Sequence, residues 1–258
     1  MDGRRHIVLK TRGNMKSAAN APAFQPLYRQ IKSLITQSLV TGEWRPGEVI
    51  PSEIELAGRF SVSQGTVRKA IGELAGQNLL VRQQGKGTFV ASHSEERSQF
   101  PYLRISPDRG GRDSLAATLI DCRKMKLDGP IAKKLDLASG AGAFLITRVL
   151  AISAKNAVYE EIRLPATQFK GLTVETIERH HCMLYSMYES EFELRILHVD
   201  EQLKAVAADG AAARYLGVTK GAPILTIERV AYTYADKPVE HRRSFCNTRE
   251  HHYRNRIV

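Results

Sequence analysis

The sequence predicts an α+β protein with two folded units, the first mostly helical and the second built on a mainly antiparallel sheet. Residues 24–91 contain an amphipathic helix, two capped helices and a glycine-tipped hairpin in close succession. Residues around 132–163 resemble residues around 212–243, as expected for a duplicated unit of one helix and one hairpin. A chain of 258 residues is long enough for about two domains.

The composition is that of a globular protein with an excess of positive charge. The chain is 43% hydrophobic and 25% charged, and its formal net charge is +11. This charge favours a polyanion such as nucleic acid or an acidic membrane surface, although it is spread along the chain. Cys122, Cys182 and Cys246 lack paired spacing, which predicts free thiols in a reducing compartment. Because no apolar run approaches the roughly 20 residues of a membrane span, we expect a cytoplasmic protein without membrane contact.

The first 23 residues are basic and show no apolar periodicity. We expect residues 1–23 to form a disordered basic tail. Such a tail either has no role or serves as an arm that binds phosphate without sequence preference.

The first two helices are predicted from apolar spacing and capping. Residues Leu27, Ile31, Leu34, Ile35 and Leu39 recur every three or four positions, which places them on one helical face. Glycine 42 follows as a left-handed cap. The second helix begins after a serine that has a glutamate three residues later, which is the pattern of a capping box.

The third helix and the hairpin have the pattern of a recognition helix and a wing. Ser63 can cap a helix from Gln64 to about Gly76 that is buried through Val67, Ile71 and Leu74. Its early residues are polar or small, as base and phosphate contacts require. Two short strands then flank a Gly-Lys-Gly tip that can reach phosphate or the minor groove.

The order of these elements predicts a winged helix-turn-helix over residues 24–91 and double-stranded DNA as its partner. The residues expected to contact DNA are Ser52, Ser63, Gln64, Gly65, Thr66, Arg68, Lys69, Gln84, Gly85, Lys86 and Gly87.

This first unit resembles the GntR family of bacterial transcription regulators. The resemblance covers the whole unit and rests on Tyr28-Arg29-Gln30-Ile31, Pro46 to Glu53, Glu55-Leu56-Ala57, Phe60, Val62-Ser63, Thr66-Val67-Arg68, Leu79-Leu80 and Gly85 to Val90. Family members often have arginine where this chain has Ile54 and Gln64. Glutamine pairs with adenine in two-bond contacts, so the family's usual operator sequence is not transferred to this chain.

The second unit is predicted from an internal repeat that follows a polar linker at 92–105. At an offset of 80 residues, the two copies share Ala132 with Ala212, Leu145 with Leu225, Ala151 with Ala231, Glu160 with Glu240 and Arg163 with Arg243. Two copies of helix plus hairpin favour one mainly antiparallel sheet. The seam between the copies is a natural pocket, and the segment from about 176 to 189 should be largely helical.

This second unit, residues 106–258, resembles the UTRA domain found behind the winged helix in the HutC subfamily of GntR regulators. The resemblance rests on Arg148, Glu160, Leu164-Pro165, Phe169 to Leu172, Met183-Leu184-Tyr185, Leu216-Gly217-Val218, Gly221-Ala222-Pro223, Glu228-Arg229 and Pro238-Val239-Glu240. It implies a fold like that of chorismate lyase, a small-molecule effector and a role in dimerisation.

The resemblance also implies the effector site. Members that bind amino-sugar phosphates use an arginine with a glutamate 12 residues later, and a glutamate with a tyrosine six residues later. The corresponding effector-binding residues here are Arg148, Glu160, Met183, Tyr185, Glu228, Tyr234 and Glu240. A second arginine of that site is Leu150 here, and a serine of that site is Met183. The effector is therefore either a sugar phosphate or a carboxylic acid.

Each of these charged residues has a structural alternative, namely an ion pair between strands such as Arg148 with Glu160 or Glu240 with Arg163. The histidines at 180–181 and 251–252 do not have the spacing of metal ligands. No nucleophile and base are arranged for catalysis. We therefore expect no metal, no cofactor and no enzymatic activity.

These patterns together predict a homodimeric transcription repressor that binds a palindromic operator, since one winged helix covers one half-site. A small anionic effector in the second unit is expected to control operator affinity by shifting the population of two arrangements. The alternatives are a DNA-binding protein that responds to no effector and an enzyme that uses the lyase-like fold.

Overall fold

The computed structural model of the protein describes residues 25–92, 102–109 and 114–255. The predicted tail at 1–23 lies outside the described residues, as does most of the predicted linker. No described helix is long and apolar enough to cross a membrane.

The first unit consists of three helices and a two-stranded hairpin. Their bounds are α1 Leu27–Val40, α2 Glu53–Phe60, α3 Gln64–Gly76, β1 Leu80–Gln83 and β2 Gly87–Val90. Ser52 and Glu55 form the predicted capping box, and the Ser63 hydroxyl accepts from the backbone N–H of Thr66 at 3.2 Å. The local capping residues therefore fix where α2 and α3 begin.

The core of this unit matches the predicted apolar faces with one exception. Val67, Ile71 and Leu74 of α3 are fully buried between α1 and the hairpin. Leu34 was predicted on the buried face of α1 but is 43% exposed. The residues at 31, 35 and 39 already fill the narrow contact with α3, so position 34 lies at the edge of that face.

The second unit is an antiparallel sheet of six strands in the order β4-β5-β6-β9-β8-β7. The strands are β4 Leu115–Lys126, β5 Gly142–Ile152, β6 Lys155–Pro165, β7 His198–Ala207, β8 Pro223–Tyr232 and β9 Pro238–Cys246. A separate ladder pairs β3 Ile105–Pro107 with β10 His251–Tyr253. The helices are α4 Gly129–Lys134, α5 Val174–Arg179, α6 Leu184–Phe192 and α7 Gly210–Leu216.

The sheet contains two copies of one strand–helix–hairpin unit, β4-α4-β5-β6 and β7-α7-β8-β9. The copies meet where β6 pairs with β9, so a pseudo-two-fold axis passes between these central strands. The predicted repeat therefore has the expected order of elements. Each copy also begins with a long strand that the sequence comparison did not include.

The structure corrects the offset between the two copies. Asp128 caps α4 and Asp209 caps α7, which sets the offset at 81 residues rather than 80. The predicted offset would pair Leu145 with Leu225, which lie on opposite faces of the sheet because side chains alternate along a strand. A count of identities does not detect this one-residue slip, whereas strand register does.

Strand register then shows which functional positions are equivalent. Arg148 of β5 lies opposite Glu160 of β6, and Arg229 of β8 lies opposite Arg242 of β9. The two arginines at 148 and 229 therefore occupy equivalent places. Positions 160 and 242 are also equivalent but carry opposite charges.

Helices cover both faces of the sheet. Helices α5 and α6 pack on one face against Phe144, Ile146, Ile162 and Leu164. Helices α4 and α7 pack on the other face. The predicted helical segment at 176–189 is two short helices, because His181 and Cys182 have left-handed backbone angles, with φ of 50° and 58°.

The boundary of the predicted linker moves. Tyr102 donates from its hydroxyl to the carbonyl of Leu197, and β3 begins at Ile105. Residues 102–105 therefore belong to the second unit and not to the linker.

Candidate functional site

The surface expected to bind DNA is formed by the start of α3, the start of α2 and the wing. Gln64 and Arg68 of α3 are exposed, and they face a groove bounded by residues 82–88. Lys86 stands at the tip of the wing, where Gly85 and Gly87 have φ of 73° and 116°. Only glycine adopts these angles without strain, so the tight tip depends on both glycines.

One carboxylate organises the polar side chains of this surface. Glu53 accepts hydrogen bonds from Arg68 Nε at 2.8 Å, Arg82 Nη2 at 3.1 Å and Gln64 Nε2 at 3.4 Å. Sequence reasoning identified neither Glu53 nor Arg82. Glu53 has the sequence signature of an ordinary first-turn helix residue, and Arg82 lies in a short strand, so only the folded arrangement brings them together.

Several of the other expected DNA-contacting residues have structural contacts of their own. The hydroxyls of Ser52 and Ser63 accept the backbone N–H groups that begin α2 and α3. Lys69 Nζ lies 4.0 Å from the ring centroid of Tyr28, so it faces α1. Ser52, Ser63 and Lys69 are thus set by helix capping and packing, while Gln64, Arg68 and Lys86 present their side chains outward.

The second surface is a cavity at the seam of the repeat, where β5, β6, β8 and β9 face α6 and residues 102–105. The empty space between its lining atoms is about 470 Å³, part of which is open to solvent. Its polar lining includes Arg148, Glu160, Tyr185, Arg229, Arg242 and Ser244. Its apolar lining includes Leu103, Ile105, Leu150, Val158 and Ile227.

Glu160 is the centre of a buried charge network in this cavity. It accepts from Arg148 Nε at 2.7 Å, from Arg242 Nη1 at 3.2 Å and from Ser244 Oγ at 2.8 Å. Burial opposes ionisation of the Glu160 carboxyl, but Arg242 and Arg148 outweigh it and hold its pKa well below the usual range. The carboxylate is therefore ionised at all physiological pH values.

A second carboxylate extends the network to α6. Glu240 accepts from Arg242 Nε and Nη2, both at 2.8 Å, and from the hydroxyls of Tyr185 at 3.1 Å and Tyr188 at 2.7 Å. Burial and the charge of Glu240 raise the pKa of Tyr185 and Tyr188, which keeps both hydroxyls protonated as donors. Every charge in this network has a partner of opposite sign, as buried charges require.

The structure brings together some of the predicted effector residues. Arg148, Glu160 and Tyr185 line the cavity, and Glu240 lies directly behind Tyr185 and Arg242. The ion pair of Arg148 with Glu160, the structural alternative, is present at the same time. Arg163 pairs with Glu161 rather than with Glu240.

Glu228, Tyr234 and Met183 do not line this cavity. Glu228 lies on the opposite face of β8, where it accepts from His241 at 2.8 Å and pairs with Lys134 at 2.6 Å. The one-residue error in the repeat offset explains its selection, because the residue equivalent to Arg148 is Arg229.

Tyr234 packs against the core of the winged unit, and Met183 lines a groove along β4. Arg229, Arg242 and Tyr102 were missed by sequence reasoning. Correct strand alternation from Glu240 points to Arg242, whereas nothing in the polar linker pattern indicated Tyr102.

Metal binding receives no support within residues 25–92, 102–109 and 114–255, where no three His, Cys, Asp or Glu side chains could hold one ion. His180 instead pairs with Glu191 at 2.8 Å. Burial raises the pKa of the Cys122 thiol to about 11, so at neutral pH it is not a thiolate nucleophile.

Comparison with known proteins accounts for both surfaces. The model of the bacterial regulatory proteins, gntR family, matches residues 27–90, and the model of the UTRA domain matches residues 112–252. The chain belongs to the GntR family and carries a UTRA domain. It is therefore a DNA-binding transcription regulator and not an enzyme, which sets aside the lyase-like alternative.

Relatives of this GntR-family chain are similar over most of its length. The "Probable fructoselysine utilization operon transcriptional repressor" of Escherichia coli (strain K12) is 26% identical over 235 residues, which are 89% of this chain and 94% of the relative. The "HTH-type transcriptional repressor NagR" of Bacillus subtilis (strain 168) is 29% identical over 221 residues, or 85% and 89% of the two chains.

A solved structure supports the fold of the UTRA domain. The ligand-binding domain of a GntR-family transcriptional regulator from Bordetella bronchiseptica is 37% identical, with a TM-score of 0.58. The match covers 60% of this chain and 97% of that domain. The similarity covers the domain that contains the cavity.

Proposed function

We propose that the protein is a repressor that binds a palindromic operator as a homodimer and that loses operator affinity when a small anionic effector fills the seam cavity. The observation that carries this proposal is the cavity itself, in which Arg148 and Arg242 converge on one buried carboxylate. Two relatives named as transcriptional repressors support repression rather than activation.

The lining favours a carboxylic acid with an apolar body over a sugar phosphate. The arginine charges are balanced by Glu160, Glu240 and Glu201, so little positive charge remains for a dianion. About half of the lining is apolar, including Leu150 and Ile227. A monoanion can bind the guanidinium groups in two-bond contacts while its body packs on these side chains.

A thermal-shift screen tests this proposal on the full chain. The panel contains aromatic acids, amino-acid-derived acids and sugar phosphates, each with its uncharged ester or amide or its dephosphorylated sugar as control. A ligand at 100 times its dissociation constant adds about 2.7 kcal/mol to the free energy of unfolding, which raises the midpoint by about 2–10 °C. We expect an acid to raise the midpoint while its uncharged control does not.

The same ligand must then act on DNA. An operator selected from random duplexes is titrated with the protein, with and without the acid, by fluorescence anisotropy. We expect the acid to weaken operator binding by about tenfold or more, and we expect Arg148→Met to lose this response while it still binds the operator. A ligand that binds without any change in operator affinity would contradict effector control.

A further inference from the structure

We infer that helix α6 couples the effector cavity to the DNA-binding unit, and that Arg195 is the residue that positions the recognition helix α3. This inference rests on the proposed function and specifies how the cavity regulates DNA binding. The three parts of the argument are the contacts at the cavity side of α6, the contacts at its outer side, and the packing between the two units.

The cavity side of α6 is attached to the charge network. Leu184 and Tyr185 line the cavity, and Tyr185 and Tyr188 both donate to Glu240. Just before the helix, the carbonyl of Cys182 accepts from Arg148 Nη1. The arginine expected to bind the effector therefore also holds the start of α6.

A carboxylate in the cavity would compete for these donors. If the effector accepts from Arg148 and Arg242, their bonds to Cys182 and Glu240 must lengthen or break, because each N–H points to one acceptor at a time. Burial allows no water to replace the lost bonds at Glu240, which is fully buried. The start and the inner face of α6 therefore move when the cavity is filled.

The outer side of α6 reaches the DNA-binding unit through a buried arginine. Glu189, which follows Tyr188 directly, lies 3.5 Å from Arg195 Nε and accepts from the Ser92 hydroxyl at 2.8 Å. Arg195 donates to the carbonyl of Asn78 at 2.6 Å and to that of Leu79 at 3.1 Å. Arg195 is only 4% exposed, so these bonds are shielded from solvent.

The two carbonyls lie just beyond the C-terminal end of α3. A cation at this end is favourable because the last carbonyls of a helix carry partial negative charge. The backbone turns sharply here, with φ of 56° at Asn78, and β1 of the wing begins at Leu80. Arg195 thus holds the junction between the recognition helix and the wing, which are the two elements that meet DNA.

Apolar packing makes this junction a continuous interface. Leu197 and Tyr234 of the UTRA domain pack against the buried core of the winged unit. Tyr234, expected from the resemblance to bind effector, is assigned to this interface instead. A displacement of α6 is therefore transmitted to α3 through packed side chains rather than absorbed by a loose linker.

A double-mutant cycle tests the coupling without any effector. Tyr188→Phe removes one hydroxyl at the cavity side of α6, and Arg195→Met removes the bonds to α3 but keeps an apolar side chain. Operator affinity is measured by fluorescence anisotropy for the full-length wild type, both single variants and the double variant. We expect Tyr188→Phe to change affinity by about threefold or more in the wild-type background and by less than about twofold in the Arg195→Met background.

Two controls separate a coupling role from a merely structural one. Arg179→Met removes an exposed arginine that pairs with Glu191 on the same helix, and it must leave the effect of Tyr188→Phe unchanged. Hydrogen exchange of residues 74–80 should increase in Arg195→Met but not in Arg179→Met, with the amides of α1 unaltered.

The outcomes distinguish this inference from the proposed function. Additive effects of Tyr188→Phe and Arg195→Met in a wild type that binds its selected operator would overturn the role of Arg195 and leave the repressor function standing. If the wild type selects no operator, the proposed function itself is wrong.

Discussion

At the scale of single residues, the most informative group on the DNA-binding surface is a carboxylate rather than a cation. Glu53 ties Arg68, Arg82 and Gln64 to one another before DNA arrives. Holding these side chains in place reduces the entropy lost when they meet base edges. The same negative charge opposes the approach of any phosphate, so it favours sites that compensate with specific contacts.

Glu53→Gln is therefore expected to trade selectivity for affinity. The substitution removes one negative charge from the surface and releases both arginines. Affinity for unrelated duplex DNA should rise by about three- to tenfold, and its salt dependence should steepen by about one unit of slope. Anisotropy titrations across a salt series measure both quantities.

Glu73→Gln provides the matched control. It makes the same charge change on α3, but Glu73 pairs with Lys32 of α1, away from the wing. Equal effects of the two substitutions would attribute the result to net charge alone and contradict the organising role of Glu53.

A second residue-scale prediction concerns acid stability. Burial opposes ionisation of Glu228, but hydrogen bonds from Lys134 and His241 outweigh it and lower the pKa of this carboxyl to about 2. A carboxyl with a depressed pKa stabilises the folded state above its unfolded pKa of about 4.3, and this contribution is lost as the pH falls toward about 2. Glu228→Gln should therefore destabilise the protein at pH 7 and progressively less below about pH 4.3.

Urea denaturation of wild type and variant at pH 7, 5 and 3.5 measures this difference. A difference in unfolding free energy that stays constant over this range would show that Glu228 does not titrate as proposed.

At the scale of elements, the sequence predicted the winged unit almost completely but the second domain only in outline. Local signals fix the winged unit, since the caps at Ser52 and Ser63 and the wing glycines act within a few residues. The sheet is fixed by register between strands far apart in sequence, which no local pattern contains. The slip of one residue in the repeat was enough to select Glu228 instead of Arg229.

Two glycines test how local signals act within elements. Gly87 of the wing has φ of 116°, and an added Cβ would lie 3.3 Å from Val49. Gly87→Ala should cost about 1–3 kcal/mol of unfolding free energy. Gly72 lies in the exposed middle of α3 with no atom within 4 Å of an added Cβ, so Gly72→Ala should add about 0.5–1 kcal/mol.

Chemical denaturation of both variants gives the comparison, because each adds one methyl group to the winged unit. Effects of the same sign would mean that backbone conformation does not decide the outcome at these positions.

At the scale of the whole molecule, one chain supplies one recognition helix and one wing. A single winged helix contacts only one half-site, so tight and selective binding requires two chains on a two-fold symmetric operator. The contacts of Arg195, Leu197 and Tyr234 with the winged unit mean that the UTRA domain sets where that recognition helix stands.

We therefore expect protection of two inverted half-sites with centres about 34 Å apart, or a multiple of that distance. Light scattering should give twice the chain mass of 28.8 kDa, and footprinting of the selected operator should give the spacing. A monomeric mass together with an asymmetric footprint would contradict the symmetric arrangement.

The pseudo-two-fold axis of the sheet has a consequence for how this cavity can diverge. A tandem duplication places identical side chains at positions 160 and 242, and two like charges buried there would repel each other. Opposite charges turn this repulsion into the attraction that now joins Glu160 to Arg242 at 3.2 Å. Neither position can change sign alone without leaving an uncompensated buried charge, so the two are expected to vary together among descendants of this gene. The duplicated frame is symmetric, but its charge is polar across the axis, and a ligand with a distinct head and tail can enter it in only one orientation.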